Sequence, residues 1–224
     1  MHRRRFLCSL TTSAIALSAA ARMRGQSLSA SSAPPLLADT SRLVLVNRTV
    51  APLVDPVRAG VRLSEVQGEG LAILSGSDFG AGTIEIDLRG RTAAPRSFLG
   101  IAFHGVDPAT FDAIYFSRFT ASGGDARAGG MAVHYHSPPR YTDARLRNER
   151  PGRYELPIIP APAPDDWFHV RIVVASTEVQ AFIGEAAEPC LDITLLNDRE
   201  SGFLGLWVGN YSGGDFADLK ITSA

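Results

Sequence analysis

Apolar and polar residues alternate along most of this chain, and glycine, proline, asparagine and aspartate break the alternation at short intervals. In Gly82-Thr-Ile-Glu-Ile-Asp-Leu88, Ile84, Ile86 and Leu88 fall on one side of an extended chain and Thr83, Glu85 and Asp87 on the other, since successive strand side chains point to opposite faces. The same period predicts strands at Leu43–Val46, Gly60–Ser64, Gly70–Leu74, Gly82–Leu88, Ser97–His104, Phe111–Arg118, Met131–Ser137, Trp167–Ala175, Glu178–Ile183, Leu191–Thr194, Phe203–Val208 and Phe216–Ile221. No segment sustains a helical period, and the residues between the runs are those of turns. An all-β fold follows: a two-layer antiparallel jelly-roll sandwich.

Two of these strands have unlike faces. Leu204, Leu206 and Val208 share one side of Phe203–Val208, while Gly205 and Trp207, with Gly209 beyond, share the other. Phe98 to His104 repeats the arrangement, with Phe98, Gly100, Ala102 and His104 opposite Leu99, Ile101 and Phe103. An indole flanked by glycines marks a place where a ligand or another chain segment comes close. The expectation is a concave, partly open face with Trp207 as a platform for a ligand, or else a Trp207 covered by a loop.

Two longer connections interrupt the rhythm. Pro138–Arg153 holds Arg140, Arg145, Arg147, Arg150 and Arg153 against Asp143 and Glu149, and is expected to include one helical turn near Asp143. Its positive excess suits an anionic sugar, because guanidinium forks onto carboxylate or sulfate; the plain alternative is a solvated loop. Pro157–Asp166, with four prolines at 157, 160, 162 and 164, is expected to be extended and stiff.

The first residues change the picture in another way. Met1–Ala21 has a basic start (Arg3, Arg4, Arg5), an apolar stretch (Phe6–Leu17) and a small-residue end, the three regions of an export signal. Arg4-Arg5-Phe6-Leu7 is similar to a twin-arginine signal, with an ordinary secretory signal as the alternative. The apolar stretch is shorter than the roughly 20 residues of a spanning helix, so no transmembrane segment is expected once the signal is removed. Residues 22–42, rich in Ser, Ala and Pro, read as a flexible tether, and 43–224 as the sandwich. Cys8 lies in the signal, which leaves Cys190 without an internal partner. The net charge of −1 becomes −4 without the three arginines, a balance that argues against nucleic-acid binding. A periplasmic or secreted protein is expected.

Gly82-Thr-Ile-Glu-Ile-Asp87, Phe98-Leu-Gly-Ile-Ala-Phe103, Tyr115-Phe116 with Arg118-Phe119, Tyr135 with Pro138-Pro139, Leu146-Arg147, Tyr154-Glu155, Trp167-Phe168-His169-Val170, and Gly205-Leu206-Trp207 with Asp215-Phe216-Ala217 together resemble exported bacterial domains of the concanavalin A-like lectin/glucanase superfamily. Within it the chain is similar to relatives of the 3-keto-disaccharide hydrolase domains. The resemblance runs from about Leu43 to Ile221 and implies the sandwich; the superfamily includes lectins, glycosidases and adhesion modules, so it does not fix a function.

Candidate chemistry is sparse. Jelly-roll glucanases carry Glu-x-Asp-x-Glu or Glu-x-Asp-x-x-Glu on the catalytic strand, whereas Glu85 and Asp87 are followed by Arg89 and Gly90; the solvent face of a half-buried strand accounts for them equally. His134 and His136 share one strand face, spaced to meet one metal, to bond neighbouring loops, or to bind a sugar hydroxyl. Tyr115 and Arg118 fall on opposite faces of a regular strand unless a bulge intervenes. The ligand-binding candidates are His104, Tyr115, Arg118, His134, His136, Trp207 and Asn210. No cofactor or transition metal is expected; the resemblance implies that a structural calcium is possible, with Asp215 or Asp218 as its carboxylate. The expected function is carbohydrate binding on the concave face. The alternatives are a glycoside hydrolase or lyase acting on a disaccharide or oxidised sugar, and a structural or adhesion module without a small-molecule ligand.

Overall fold

The computed structural model describes residues 36–91, 97–118, 130–163 and 165–224. The expected export signal and residues 22–35 of the expected tether lie outside the described residues. Fourteen strands are present among them: β1 Leu43–Val46, β2 Val50–Pro52, β3 Gly60–Val66, β4 Gly70–Leu74, β5 Gly82–Arg89, β6 Phe98–Asp107, β7 Thr110–Arg118, β8 Met131–His136, β9 Glu155–Ile158, β10 Phe168–Val174, β11 Glu178–Ile183, β12 Leu191–Thr194, β13 Phe203–Val208 and β14 Ser212–Ser223. A single helical turn spans Thr40–Arg42, and one short helix, α1, spans Asp143–Glu149.

The strands form two seven-stranded sheets, ordered β1-β4-β13-β6-β7-β8-β9 and β12-β11-β10-β5-β14-β3-β2, with antiparallel pairing at every junction. The chain is therefore an antiparallel jelly-roll sandwich. The core lies where the alternation places it: Ile84, Ile86 and Leu88 of β5 and Leu204, Leu206 and Val208 of β13 belong to one apolar core, and all six are fully buried. Phe168, Val170, Ile172 and Val174 supply the same face of β10. In β14 the core residues Phe216 and Leu219 are three apart, which an unbroken strand forbids; Asp218, at φ 53, makes a bulge that restores the inward direction. Aspartate is among the few non-glycine residues that take this left-handed conformation readily.

Three details differ from the sequence expectation. Residues 36–42, expected as the end of the tether, belong to the sandwich: Leu37 is buried in the core, and Asp39 caps the Thr40–Arg42 turn by accepting from the Ser41 N–H. Leu36 and Leu37 are two adjacent apolar residues between a Ser-, Ala- and Pro-rich run and Asp39-Thr-Ser41, too short a stretch to establish a period. Strand β9 occupies Glu155–Ile158, overlapping the segment expected to be loop. Pro157 cannot donate a ladder hydrogen bond, but β9 is an edge strand, where that loss is tolerated. The short β2, ending in Pro52, is an edge strand for the same reason.

Candidate functional site

Turned away from the core, the first sheet carries a second apolar cluster of Leu71, Ala102, Phe111, Ala113, Tyr115 and Trp207, with Phe98 and Phe203 packed against it. The glycines of this face serve the rings and the neighbouring strands. A Cβ at Gly100 would run into the backbone of Ile114 and Tyr115, and one at Gly209 would meet Phe98 and the Trp207 ring. Trp207 is not an open platform: it is 2 % exposed, its ring lies 4.6 Å from that of Tyr115 and 5.1 Å from that of His136, and its Nε1 donates to Glu69 Oε2 at 3.3 Å. The indole is part of a buried cluster, and the rings packed against it come from β7 and β8 rather than from a loop.

The polar part of the face lies at the β7–β8–β9 end. The pairing of Tyr115 with His134 and of His134 with Glu155 places three side chains in a row on adjacent strands. The rings of Tyr115 and His134 are 4.6 Å apart and within 2° of parallel. His134 Nε2 meets Ser117 Oγ at 2.7 Å, and its Nδ1 lies 3.6 Å from Glu155 Oε2, an ion-pair rather than a hydrogen-bond distance. From the other side α1 brings Asp143 down onto the sheet. Tyr115 donates to Asp143 Oδ1 at 2.6 Å and His136 Nδ1 to Asp143 Oδ2 at 3.1 Å. A carboxylate only accepts, so the His136 proton sits on Nδ1 whenever the imidazole is neutral, and Nε2 presents a lone pair. That Nε2 is buried and has no partner among the described residues.

Thr142 caps α1 by accepting from the Arg145 N–H, and Leu146 anchors the helix in the core. Asp143 in the first turn also suits the positive end of a helix. Electrostatics fix the charge of both carboxyls. Burial pushes Asp143 up, but the hydrogen bonds from His136 and Tyr115 outweigh it and hold the group below its ordinary range. His134 first, and Arg147 after it, hold Glu155 down at about 2 against its partial burial. Burial beside Asp143 drives the Tyr115 phenol far above its usual value, so it stays a donor.

Between β8, α1 and β9 lies a cavity of about 170 Å³ whose polar lining is His134, Asp143, Arg147, Arg150, Tyr154 and Glu155. Arg147 is engaged with Glu155 at 2.9 Å, and Arg150 Nη1 donates to Tyr154 Oη at 3.2 Å. Of the residues expected to bind ligand, the structure thus gathers Tyr115, His134, His136 and Trp207. Asp143 and Glu155 were not among the expected site residues. Asp143 reaches the face only through α1, and Glu155 falls beside His134 only once β9 is recognised as a strand.

The other candidates stand apart. His104, at φ 50, lies where the β6–β7 register shifts, and its Nε2 meets the Gly80 carbonyl while Nδ1 comes within 3.8 Å of Asp112; the bulge defeats the simple parity that grouped it with Gly100 and Ala102. Asp112 is itself fully buried and accepts from Tyr135, Asn197 and Arg199. Arg118 ends β7 in regular pairing with Met131, so no bulge brings it to the Tyr115 face. Asn210 is exposed and accepts from the Gly68 N–H, tying the β13–β14 turn to the β3–β4 turn. Glu85 and Asp87 lie on the second sheet, where Asp87 is bonded to His169 at 2.8 Å and Arg58 at 3.0 Å. Asp215 accepts from Arg62 and Arg89, a pairing with two cations that does not suit a calcium ligand. In the arginine-rich segment Arg145 pairs with Glu149 and Arg147 with Glu155. Among the described residues no helix is long and apolar enough to cross a membrane.

No protein-family model matches the sequence, and neither does any curated protein. Solved structures do. Carbohydrate binding module CBM66 from Bacillus subtilis superposes with a TM-score of 0.58 at 13% identity, over 81% of this chain and 96% of that one. The exoplasmic/lumenal domain of VIP36, in a Ca2+/Man3GlcNAc-bound form, gives 0.53 at 10% identity, over 84% and 87%. The laminarinase catalytic domain from Thermotoga maritima MSB8 gives 0.50 at 12% identity, over 80% of each. The likeness is one of fold: this chain shares their antiparallel β-sandwich architecture.

Proposed function

We propose that this protein is an exported carbohydrate-binding sandwich whose ligand is taken in the cavity between β8, α1 and β9. The observation that carries the reading is the composition of that cavity: the His134 imidazole, the Tyr135 and Tyr154 rings, two guanidiniums and two carboxylates line a space of about 170 Å³. A small number of placed polar groups against an aromatic wall is how sugar hydroxyls and C–H faces are recognised together. The comparisons with a carbohydrate binding module and with the Man3GlcNAc-bound VIP36 domain, both of the same fold, support the reading, and the basic and apolar start of the chain supports export.

Binding is favoured over hydrolysis for a specific reason. A glycosidase pairs an ionised carboxylate with a second one kept protonated to serve as general acid. Here both Asp143 and Glu155 are held below their ordinary range, so neither retains a proton at neutral pH. A glycan array probed with the full chain and with Asp143→Ala tests the proposal. Retention of a defined set of glycans by the parent and its loss in the variant is the expected result. Release of free sugar from a bound glycan would move the assignment to the hydrolase or lyase class, and an empty array would favour the structural role.

A further inference from the structure

The cavity lining includes His134 and Glu155 but not Ser117, yet Ser117 sets how His134 is presented there. The pairing of Tyr115 with His134 and of Ser117 with Ala132 puts Tyr115, Ser117 and His134 on the outer face of the sheet. Tyr115 lies flat against the imidazole, the two rings being within 2° of parallel. That stack leaves the imidazole one coarse freedom, a half-turn that exchanges its nitrogen and carbon positions and keeps its plane. The buried 2.7 Å contact between Ser117 Oγ and His134 Nε2 removes it, because the half-turn would set a C–H against the hydroxyl.

So held, the ring turns Nδ1 toward Glu155 Oε2, 3.6 Å away. Glu155 is ionised and engaged with Arg147, and a carboxylate only accepts. The neutral imidazole therefore carries its proton on Nδ1, and Nε2 accepts from the Ser117 hydroxyl. Yet 3.6 Å is too long for Nδ1 and the carboxylate to bond directly. Among the described residues the buried ring nitrogens without a partner are His104 Nδ1 and His136 Nε2; His134 Nδ1 is not one of them, so it opens on the cavity that its ring lines. A fixed donor and a fixed acceptor thus face the cavity one atom apart. An oxygen about 2.9 Å from each closes the gap at ordinary hydrogen-bond lengths, and it must accept on one side and donate on the other. A hydroxyl does both, whereas an ether or carbonyl oxygen only accepts.

We infer that Ser117 is a positioning residue: it orients His134 so that Nδ1–H and the Glu155 carboxylate together hold one free hydroxyl of the sugar, and a unit substituted at that hydroxyl is not taken. This rests on the carbohydrate-binding reading above and names the group that the site reads.

Two measurements on the full chain test it. Nitrogen NMR of histidine-labelled protein, with the signals assigned by their loss in His134→Gln, is expected to show the His134 proton on Nδ1 in the parent and in Ser117→Thr, which keeps the hydroxyl. In Ser117→Ala it is expected to show both tautomers. Titration calorimetry with methyl glycosides of the common neutral hexoses, and with the monodeoxy and mono-O-methyl derivatives of the one that binds best, reads the hydroxyl. At a single ring position both derivatives are expected to bind roughly tenfold or more weakly, the cost of losing a hydrogen bond to a charged group. Ser117→Ala is expected to weaken the parent glycoside and to leave the deoxy derivative at that position unchanged; a merely structural serine would weaken both alike. A His134 proton on Nε2 in the parent, or a sugar series with no position at which both derivatives fail, overturns the inference and leaves carbohydrate binding intact. Equal weakening of both sugars by Ser117→Ala overturns the positioning role of the serine. Failure of every hexoside to bind overturns the inference and the carbohydrate-binding reading together.

Discussion

Tyr115 on β7 and Asp143 at the start of α1 are joined by a 2.6 Å hydrogen bond that fastens the helix to the sheet beside the cavity. The phenol is buried and the carboxyl is ionised, which makes this a charge-assisted contact of the stronger kind. Because His136 donates to the other oxygen of the same carboxylate, one side chain sets the position of two aromatic rings.

Tyr115→Phe removes the hydrogen bond and keeps the ring. A hydrogen bond to a charged group contributes about 1.5–3 kcal/mol, and loss of that order in urea unfolding is the expected outcome. Sugar affinity should fall as well, since Asp143 would lose the contact that places it against the cavity. An unchanged unfolding midpoint would show that the bond contributes nothing in solution.

Trp207→Ala is expected to act on stability. Its ring is buried against Tyr115 and His136, and truncating a large buried aromatic residue costs about 3–5 kcal/mol. A thermal melt decides the matter. A variant that melts with the parent yet fails on the glycan array would restore Trp207 as an open platform.

Acid should destabilise the protein through Glu155. Its folded value of about 2 lies below its ordinary value of 4.5, so below pH 4.5 the unfolded chain takes up the proton first and stability rises with pH in that window. The contribution is complete above pH 4.5 and is lost as pH falls toward about 2. Glu155→Gln should flatten the dependence of unfolding free energy on pH between those limits, as followed by urea unfolding at a series of pH values. An equal slope in parent and variant would refute it.

Arg199→Met tests the buried network at the other end of β7. Asp112 is fully buried and Arg199 is its cationic partner at 2.8 Å, and stripping the partner from a buried charge costs about 3–5 kcal/mol. The double variant with Asp112→Asn should recover part of that loss, because the stranded charge goes with it. No recovery would place the cost in packing of the arginine stem.

The strands were legible wherever one side is core and the other is not: β5 and β10 alternate strictly, and their reading required no knowledge of their neighbours. β2 and β9 were missed because each is short and carries a proline, which only an edge position excuses. Parity put His134 and His136 on one side of their strand and Trp207 opposite the core side of its own, and the regular pairing of β7 with β8 and of β13 with β6 brings them and Tyr115 onto one face. It failed for His104 because a bulge is a backbone event with no side-chain period to announce it. It misjudged the glycines around Trp207 in a different way: a missing Cβ shows that something comes close, and the near neighbours proved to be the protein's own rings and strands. Asp143 was visible only as the marker of a helical turn, because what brings it to Tyr115 is a fold-back in three dimensions.

The cavity walls run consecutively along the chain from His134 to Glu155, between two strands that pair with each other directly. His134 and Glu155 are fixed by that pairing, whereas Asp143, Arg147 and Arg150 belong to the insert between the two strands. A replaced insert would therefore change most of the charged lining and leave one imidazole and one carboxylate in place, so part of the site is inherited with the scaffold and part can vary without it.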